Sequence, residues 1–394
     1  MKDKTTPKTG WLGLPPLAVG LGAVAAIVVF GWQFLLAESE IAVLGLVALA
    51  AVGGWALGKT GIQDSLNEAM RSHGRSMNGA ILLGLLAVIF LLGEEHFPLL
   101  MLTTMLLYMT VALGLNVQFG LTGMVNFAGA AFFGMGAYTA AVLTEHTAVP
   151  PLLILIAGGV IAAAIGFLLI VPVVRTAGHY SAVVTIAFGV LFKTFLEVND
   201  VLGGPQGLMV GSMSLFGWDF NSSPMLLGME MSFYANYALL GGGLAVLAFV
   251  LTQRLERSWL GLTLDSVRLD ETASACFGLN VVRAKVLAFT FGNVLAGVAG
   301  ALYGMMISFI APNSFTFADS LLMVSIVLLG GLGSLWGTAL AAAIVVLLPE
   351  KLQILQEYRF LLFSGLVILM LLFRPQGLLP RKVRSYFPSW RPQQ

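Results

Sequence analysis

Residues 150–173 read PPLLILIAGGVIAAAIGFLLIVPV, a run without a single charged side chain. A helix rises about 1.5 Å per residue, so this run as a helix is about 36 Å long. Roughly 20 apolar residues suffice to cross the hydrocarbon core of a bilayer. The same reading extends in both directions. Further apolar runs lie at about 15–36, 40–58, 78–94, 98–116, 127–144, 181–198, 233–253, 284–309, 320–334, 336–350 and 357–373. The pair after Asp319 is short and glycine-broken, in the manner of half-helices or re-entrant segments. The pattern predicts an all-α, polytopic transmembrane bundle of about ten to twelve membrane segments, some short or broken.

Composition supports this. Of the 394 residues 58% are hydrophobic and 10% charged, against about 45–50% and about 25% in a soluble protein. A net charge of +1 leaves no basic footprint for nucleic acid. The single cysteine, Cys276, excludes an intrachain disulfide and a cysteine-built metal site. Lys2, Lys4 and Lys8 precede the first apolar run as in a secretory signal. However, Leu17–Leu36 exceeds the about 7–15 residues of an h-region, and no small-x-small cleavage site follows, so a retained helix is expected.

Lys and Arg in short loops mark the cytoplasmic side. They fall in the N-terminus, in the loop with Lys59, Arg71 and Arg75, between Arg254 and Lys285, and in the tail with Arg374, Arg381, Lys382 and Arg384. The opposite loops carry Glu38 and Glu40, then Glu94, Glu95 and His96, then the long stretch Asn199 to Ser232 with its turn cluster Gly203-Gly204-Pro205-Gln206-Gly207. One side for every basic loop requires an even number of crossings and both termini in the cytoplasm; ten and twelve both satisfy that. Residues 1–77 read as an N-terminal extension with two spans and a cytoplasmic loop, 78–380 as the core, and 381–394 as a basic tail. Within the core, Asp265 to Gly278 has an acidic start and a glycine stop, and is too short and charged to span: a cytoplasmic helix held between two membrane helices.

Three motifs invite chemistry. Gly53 to Thr60 (GGWALGKT) fits the phosphate-loop pattern, but it closes an apolar span instead of following a strand, so Gly58 reads as a helix end and Lys59 as a positive-inside residue. Lys193 and Glu197, four apart, can pair near the end of their span; a gating role for Glu197 competes with a plain interfacial pair. The stretch Gly114 to Phe127 (GLNVQFGLTGMVNF) puts Asn116, Gln118, Gly120, Thr122, Gly123 and Asn126 between two apolar runs. Either it is a broken helix whose amides face a translocation path, with Thr185 nearby, or it is an ordinary cytoplasmic loop. Its lack of any charge favours the first reading, since irregular backbone at membrane depth must be buried in protein or line a wet cavity. A weak echo of it recurs at Gly331-Leu332-Gly333-Ser334-Leu335. Small residues at Gly129, Ala130, Ala131, Gly134, Gly136 and Ala137, and again at Gly292, Gly297, Gly300 and Gly304, predict closely packed helices. The four histidines form no metal-binding spacing, which argues against an enzyme.

These stretches carry a resemblance. Gly114-Leu115-Asn116, Gly120, Gly123, the run Phe127 to Ala140, Gly203 to Leu208, the block Gly261 to Phe289 and the run Leu328 to Gly337 together resemble the branched-chain amino-acid permeases of bacterial ABC importers, across about residues 97–380. The extra N-terminal spans look like the LivM-type subunit rather than its LivH-type partner. The resemblance implies a multi-pass protein of the bacterial inner membrane that forms the path for branched-chain or other small neutral amino acids. It implies a LivH-type permease partner, two cytoplasmic ATPases that bind the ATP and Mg, and an extracytoplasmic substrate-binding protein. No cofactor and no enzymatic activity are expected on this chain. The short cytoplasmic helix would be the coupling helix, a role carried onto Arg268, Asp270, Glu271, Ala273, Ser274 and Gly278. The family pattern Glu-Ala-Ala, three residues, Gly meets Thr272-Ala273-Ser274 here, which displaces the acidic residue to Glu271. Rival readings are the same architecture carrying urea or short amides, and an ion-coupled secondary transporter. The scarcity of acids within the spans argues against the second.

Overall fold

The computed structural model describes residues 15–59, 72–175, 180–215, 217–226, 229–352, 358–374 and 376–381. Lys2, Lys4, Lys8, Thr60, Arg71, His179, Lys382 and Arg384 lie outside them. In chain order the helices are α1 Pro16–Leu36, α2 Glu40–Lys59, α3 Gly74–Leu91, α4 His96–Asn116, α5 Gly129–His146, α6 Pro151–Arg175, α7 Tyr180–Val198 and α8 Tyr234–Arg257. Two short ones follow, α9 Trp259–Leu269 and α10 Glu271–Cys276, and then α11 Val281–Ile307, α12 Phe317–Gly330, α13 Leu335–Lys351 and α14 Arg359–Phe373. Among the described residues each apolar run of the sequence is thus mostly helical, and of the α-helices α9 and α10 fall outside those runs. Among the described residues seven helices are long and apolar enough to cross a membrane. The shortness expected after Asp319 is present, with α12 14 residues long and α13 17.

The bundle is built around α11, which packs on α4, α5 and α6. Glycine permits the approach. A methyl group on Gly136 would lie 1.9 Å from the Gly297 carbonyl oxygen, and one on Gly300 would lie 1.8 Å from that of Phe133. The small residues therefore act as the sequence predicts: they let backbones touch. Helix α1 lies at the periphery, with 17% of its apolar stretch buried against 72% for α4. It and α2 join α3, α4 and α8 in a satellite cluster that includes Phe34, Val43, Ile89, Leu102 and Ala245.

Helix α8 has 24 residues, about 36 Å of rise, so the segments joined to its two ends lie at opposite ends of the bundle. At its start stands the 199–233 connection. This segment contains two short 3₁₀ turns and five two-residue strands, one of which pairs with Phe309–Ile310 after α11. Tyr237 holds it down: its hydroxyl accepts from the Met213 amide at 3.2 Å and lies 3.1 Å from the Met305 carbonyl. At the other end of α8 stands the α9–α10 insert. The sequence predicts one helix there, and the structure has two. Asp270 is extended (φ −159°, ψ 113°) and accepts from the Ala273 amide at 2.9 Å, so its carboxylate caps a new helix instead of continuing the old one. The predicted glycine stop holds. Gly278 has φ +80°, and the Leu279 amide reaches back to the Ser274 carbonyl at 3.1 Å, as in a Schellman ending.

Candidate functional site

Helix α4 does not simply stop. After Asn116 the backbone widens into a π turn over Val117–Leu121, all of it buried. Such turns are rare and concentrate at functional sites. The Gln118 carbonyl is satisfied by Thr122 Oγ1 at 2.6 Å and by the Met124 amide at 3.0 Å. Gly123, exposed and at φ +69°, then turns the chain in a conformation glycine adopts without strain. The chain runs without helix through Ala128 before α5 begins.

The polar side chains of this break fall into two hydrogen-bonded groups. In the first, Asn126 Nδ2 donates to Gln118 Oε1 at 2.8 Å, and Gln118 Nε2 donates to the Phe289 carbonyl at 3.1 Å and to Asn293 Oδ1 at 3.3 Å. Asn126 Oδ1 accepts from the Ala128 amide at 2.9 Å, and Thr185 Oγ1 accepts from the Phe127 amide at 3.1 Å, which ties α7 to the same segment. In the second group, Asn116 Nδ2 donates to Thr338 Oγ1 at 2.9 Å and to the Ser334 carbonyl at 3.2 Å, while its Oδ1 accepts from the Gly333 amide at 2.7 Å. Gly120 presses on the same turn, where a methyl group would lie 2.2 Å from the Gly333 nitrogen. The two echoing glycine stretches therefore pack against each other. Asn116, Gln118, Thr122, Asn126 and Thr185 are each at most 3% exposed. Their amides and hydroxyls bond to protein in this structure and are shut off from solvent.

The insert sits directly against the break. Leu264 and Val267 of α9 form one apolar cluster with Val117 and Leu121 of the π turn and with Ala284 and Ala288 of α11. Arg268 Nη1 donates to the carbonyl of Gly120. Burial, and next the nearby Arg381 guanidinium, lower the pKa of Arg268, opposed by Asp265. Of the residues assigned to coupling, Arg268 and Ser274 thus face inward, with Ser274 4% exposed. Asp270 caps α10, Glu271 pairs with Lys285 at 2.7 Å, and Ala273 and Gly278 are exposed. Two large apolar side chains bracket α10, Leu269 and Phe277, each 86% exposed.

A family model described as the permease component of the branched-chain amino acid transport system matches residues 97–372. The chain belongs to this permease family. The permease is 37% identical over 297 residues to the high-affinity branched-chain amino acid transport permease protein LivM of Salmonella typhimurium, and the same holds for LivM of Escherichia coli; the match covers 71% of this chain and 69% of each relative. It is 25% identical over 289 residues to the LivH protein of Escherichia coli, covering 70% and 91%. No solved structure matches it.

In this permease several network members escape a reading of the sequence alone. Asn293 lies in the glycine-rich run of α11, 1% exposed, and its Nδ2 has no hydrogen-bond partner. A lone amide in an apolar helix was the available signal. Ser320 Oγ, which accepts from the Ala130 amide at 3.0 Å at the start of α5, and Thr338 had no signal beyond being hydroxyls in apolar runs. The phosphate-loop pattern falls on the last turns of α2 up to Lys59, on helix with no preceding strand, so it lacks the free backbone amides a phosphate needs. Lys193 and Glu197 pair at 3.1 Å on α7, both about one-third exposed (32% and 37%), the plain pair of the two readings.

Proposed function

We propose that this permease is the LivM-type membrane subunit of a bacterial ABC importer for branched-chain or other small neutral amino acids. Its partners are a LivH-type permease, two cytoplasmic ATPases and an extracytoplasmic binding protein, and both its termini lie in the cytoplasm of an inner-membrane protein. ATP and Mg bind the ATPases; this chain carries neither and catalyses no reaction. The observation that carries the reading is the contact between insert and break. A surface element with exposed apolar side chains, Leu269 and Phe277, rests through Leu264, Val267 and Arg268 on the glycine-broken turn of α4. Force applied to that element from outside reaches the break without an intermediate. The names of the relatives support the cargo, and an uncharged amide network suits a zwitterion that brings no net charge of its own.

Arg268 and Ser274 hold the insert in place, and α10 with Leu269, Glu271, Ala273 and Phe277 meets the ATPase. Asn116, Gln118, Gly120, Thr122, Gly123, Asn126 and Thr185 form the gate region of the path, closed in this conformation. Reconstitution of the permease with its candidate partners into proteoliposomes, followed by uptake of labelled leucine, tests the reading. ATP-dependent uptake that needs all partners is expected. Uptake by the permease alone under an ion gradient would establish the secondary-transporter alternative. Competition by urea or acetamide, and none by isoleucine, would change the cargo.

A further inference from the structure

The last described residues pack against the bundle. Residues 376–381 form a strap across the end of the bundle that carries the insert. The Leu378 amide donates to the Leu329 carbonyl at 2.8 Å, which ties the strap to the last turn of α12. Gly377, at φ +80°, lies against Gly331, where a methyl group would stand 2.3 Å from the Gly331 Cα. The stem of Arg381 then covers Gly333, and its guanidinium turns to the insert. Nη1 and Nη2 bond the two oxygens of Asp265 on α9 at 2.6 and 2.9 Å, and Nε bonds Glu256 near the end of α8 at 2.9 Å. All three side chains are largely enclosed, at 14%, 26% and 25% exposed. Burial pulls the Arg381 pKa down, but the hydrogen bonds and charges of Asp265 and then Glu256 outweigh it, and the net shift is upward. With Arg268 beside it, the cluster holds two positive and two negative groups, so no charge is left over.

A bidentate arginine–carboxylate pair fixes geometry as well as adding energy. Here it links the strap and the α12–α13 turn on one side to the insert on the other. Arg268 grips the π turn from the insert, and Asn116 at the end of α4 and Gly120 of the π turn grip the α12–α13 turn. The loop of contacts is closed: insert, π turn, α12–α13 turn, strap, insert.

We infer that Arg381 and Asp265 are positioning residues for energy coupling: the strap clamps the α9–α10 insert to both glycine breaks so that the three move as one body. The inference rests on the importer reading above. Without the clamp, the insert can follow an ATPase while the α12–α13 turn lags, and ATP is spent without transport.

The test uses the complete transporter in proteoliposomes and reads labelled leucine taken up per ATP hydrolysed. Arg381→Ala and Asp265→Ala are each expected to lower that ratio about tenfold while ATP hydrolysis stays within about twofold, and the double variant to be no worse than either, as for two ends of one interaction. Arg381→Lys, which keeps the charge and loses the fork, is expected to restore part of the ratio. Glu256→Gln preserves volume and the Asp265 pair; it serves if the alanine variants do not fold, with an expected loss of about threefold. An unchanged ratio in these variants overturns the inference. So does a parallel fall in uptake and hydrolysis, or an additive double variant, either of which marks a merely structural role. A wild-type assembly without ATP-dependent uptake overturns the importer reading itself, and this inference with it.

Discussion

At the scale of single residues, the buried amides decide how the break is held. Asn126 bridges Gln118 and the start of α5, so Asn126→Leu strands both Gln118 Oε1 and the Ala128 amide. Each stranded buried group costs about 1–3 kcal/mol. Asn126→Leu and Gln118→Leu are therefore expected to lower the melting temperature of the purified permease. They are expected to reduce leucine uptake by about tenfold, which corresponds to about 1.4 kcal/mol. Unchanged uptake in both would remove these residues from the path. Asn293 gives a sharper contrast, because its Nδ2 already lacks a partner while its Oδ1 accepts from Gln118. Asn293→Asp removes an unpaired donor but places a carboxylate in an uncharged interior, where charge is heavily penalised. Asn293→Ala loses one acceptor and leaves a small cavity. The aspartate variant should be the more damaging of the two in both melting temperature and uptake.

Among the elements, the insert separates two functions that one continuous helix would merge. Asp270 caps α10, so Asp270→Ala should cost about 1 kcal/mol of local helix stability. It should increase hydrogen exchange over residues 271–276 and leave the rest of the protein unchanged. Phe277→Ser touches no structural contact of comparable weight, since the side chain is 86% exposed. It is expected to weaken association with the ATPase by about tenfold or more, the loss typical of a buried aromatic anchor at an interface. Equal binding by wild type and variant, measured by co-purification, would move the docking surface elsewhere. The difference between the one helix read from the sequence and the two in the structure has a local cause. Residues 265–277 hold no proline or glycine to mark a break, and the interruption comes from the Asp270 carboxylate, which takes the Ala273 amide. Other elements were far more legible. Apolar length alone located the seven described helices long enough to cross a membrane, and the small-residue spacing announced the contact of Gly136 with Gly297. The glycine break around Gly120 was legible because it combines polar side chains with no charge. Its partners were not, because Asn293, Ser320 and Thr338 lie 170 residues or more along the chain and only folding brings them near.

Over the whole molecule, the helices divide into a core that carries the break and a peripheral pair. The family match begins at residue 97, beyond α1 and α2. Those two helices meet the core through the satellite cluster, where α1 packs closely on α3: a methyl group on Gly84 would lie 2.7 Å from Val28. In water, removing them would expose apolar side chains of the satellite cluster at a steep hydrophobic cost. In a bilayer that cost is absent, because lipid tails are as apolar as the lost side chains. Among the described residues, the polar tie to Lys351 would be severed. Lys351 Nζ donates to the Leu35 and Ala37 carbonyls at 2.6 and 3.0 Å, which caps the end of α1. Lys351 stands at the last residue of α13, where a long side chain can reach water instead. The insert, the break and the strap make none of these contacts. A truncated permease lacking residues 1–72 is thus expected to insert, to assemble with its partners and to keep leucine uptake per ATP within about twofold of the full chain, while its melting temperature in detergent falls by several degrees. Loss of assembly with the LivH-type partner would instead make α1 and α2 part of the subunit interface, and their exposed faces, including Ile27, Ile41 and Leu49, would be its surface.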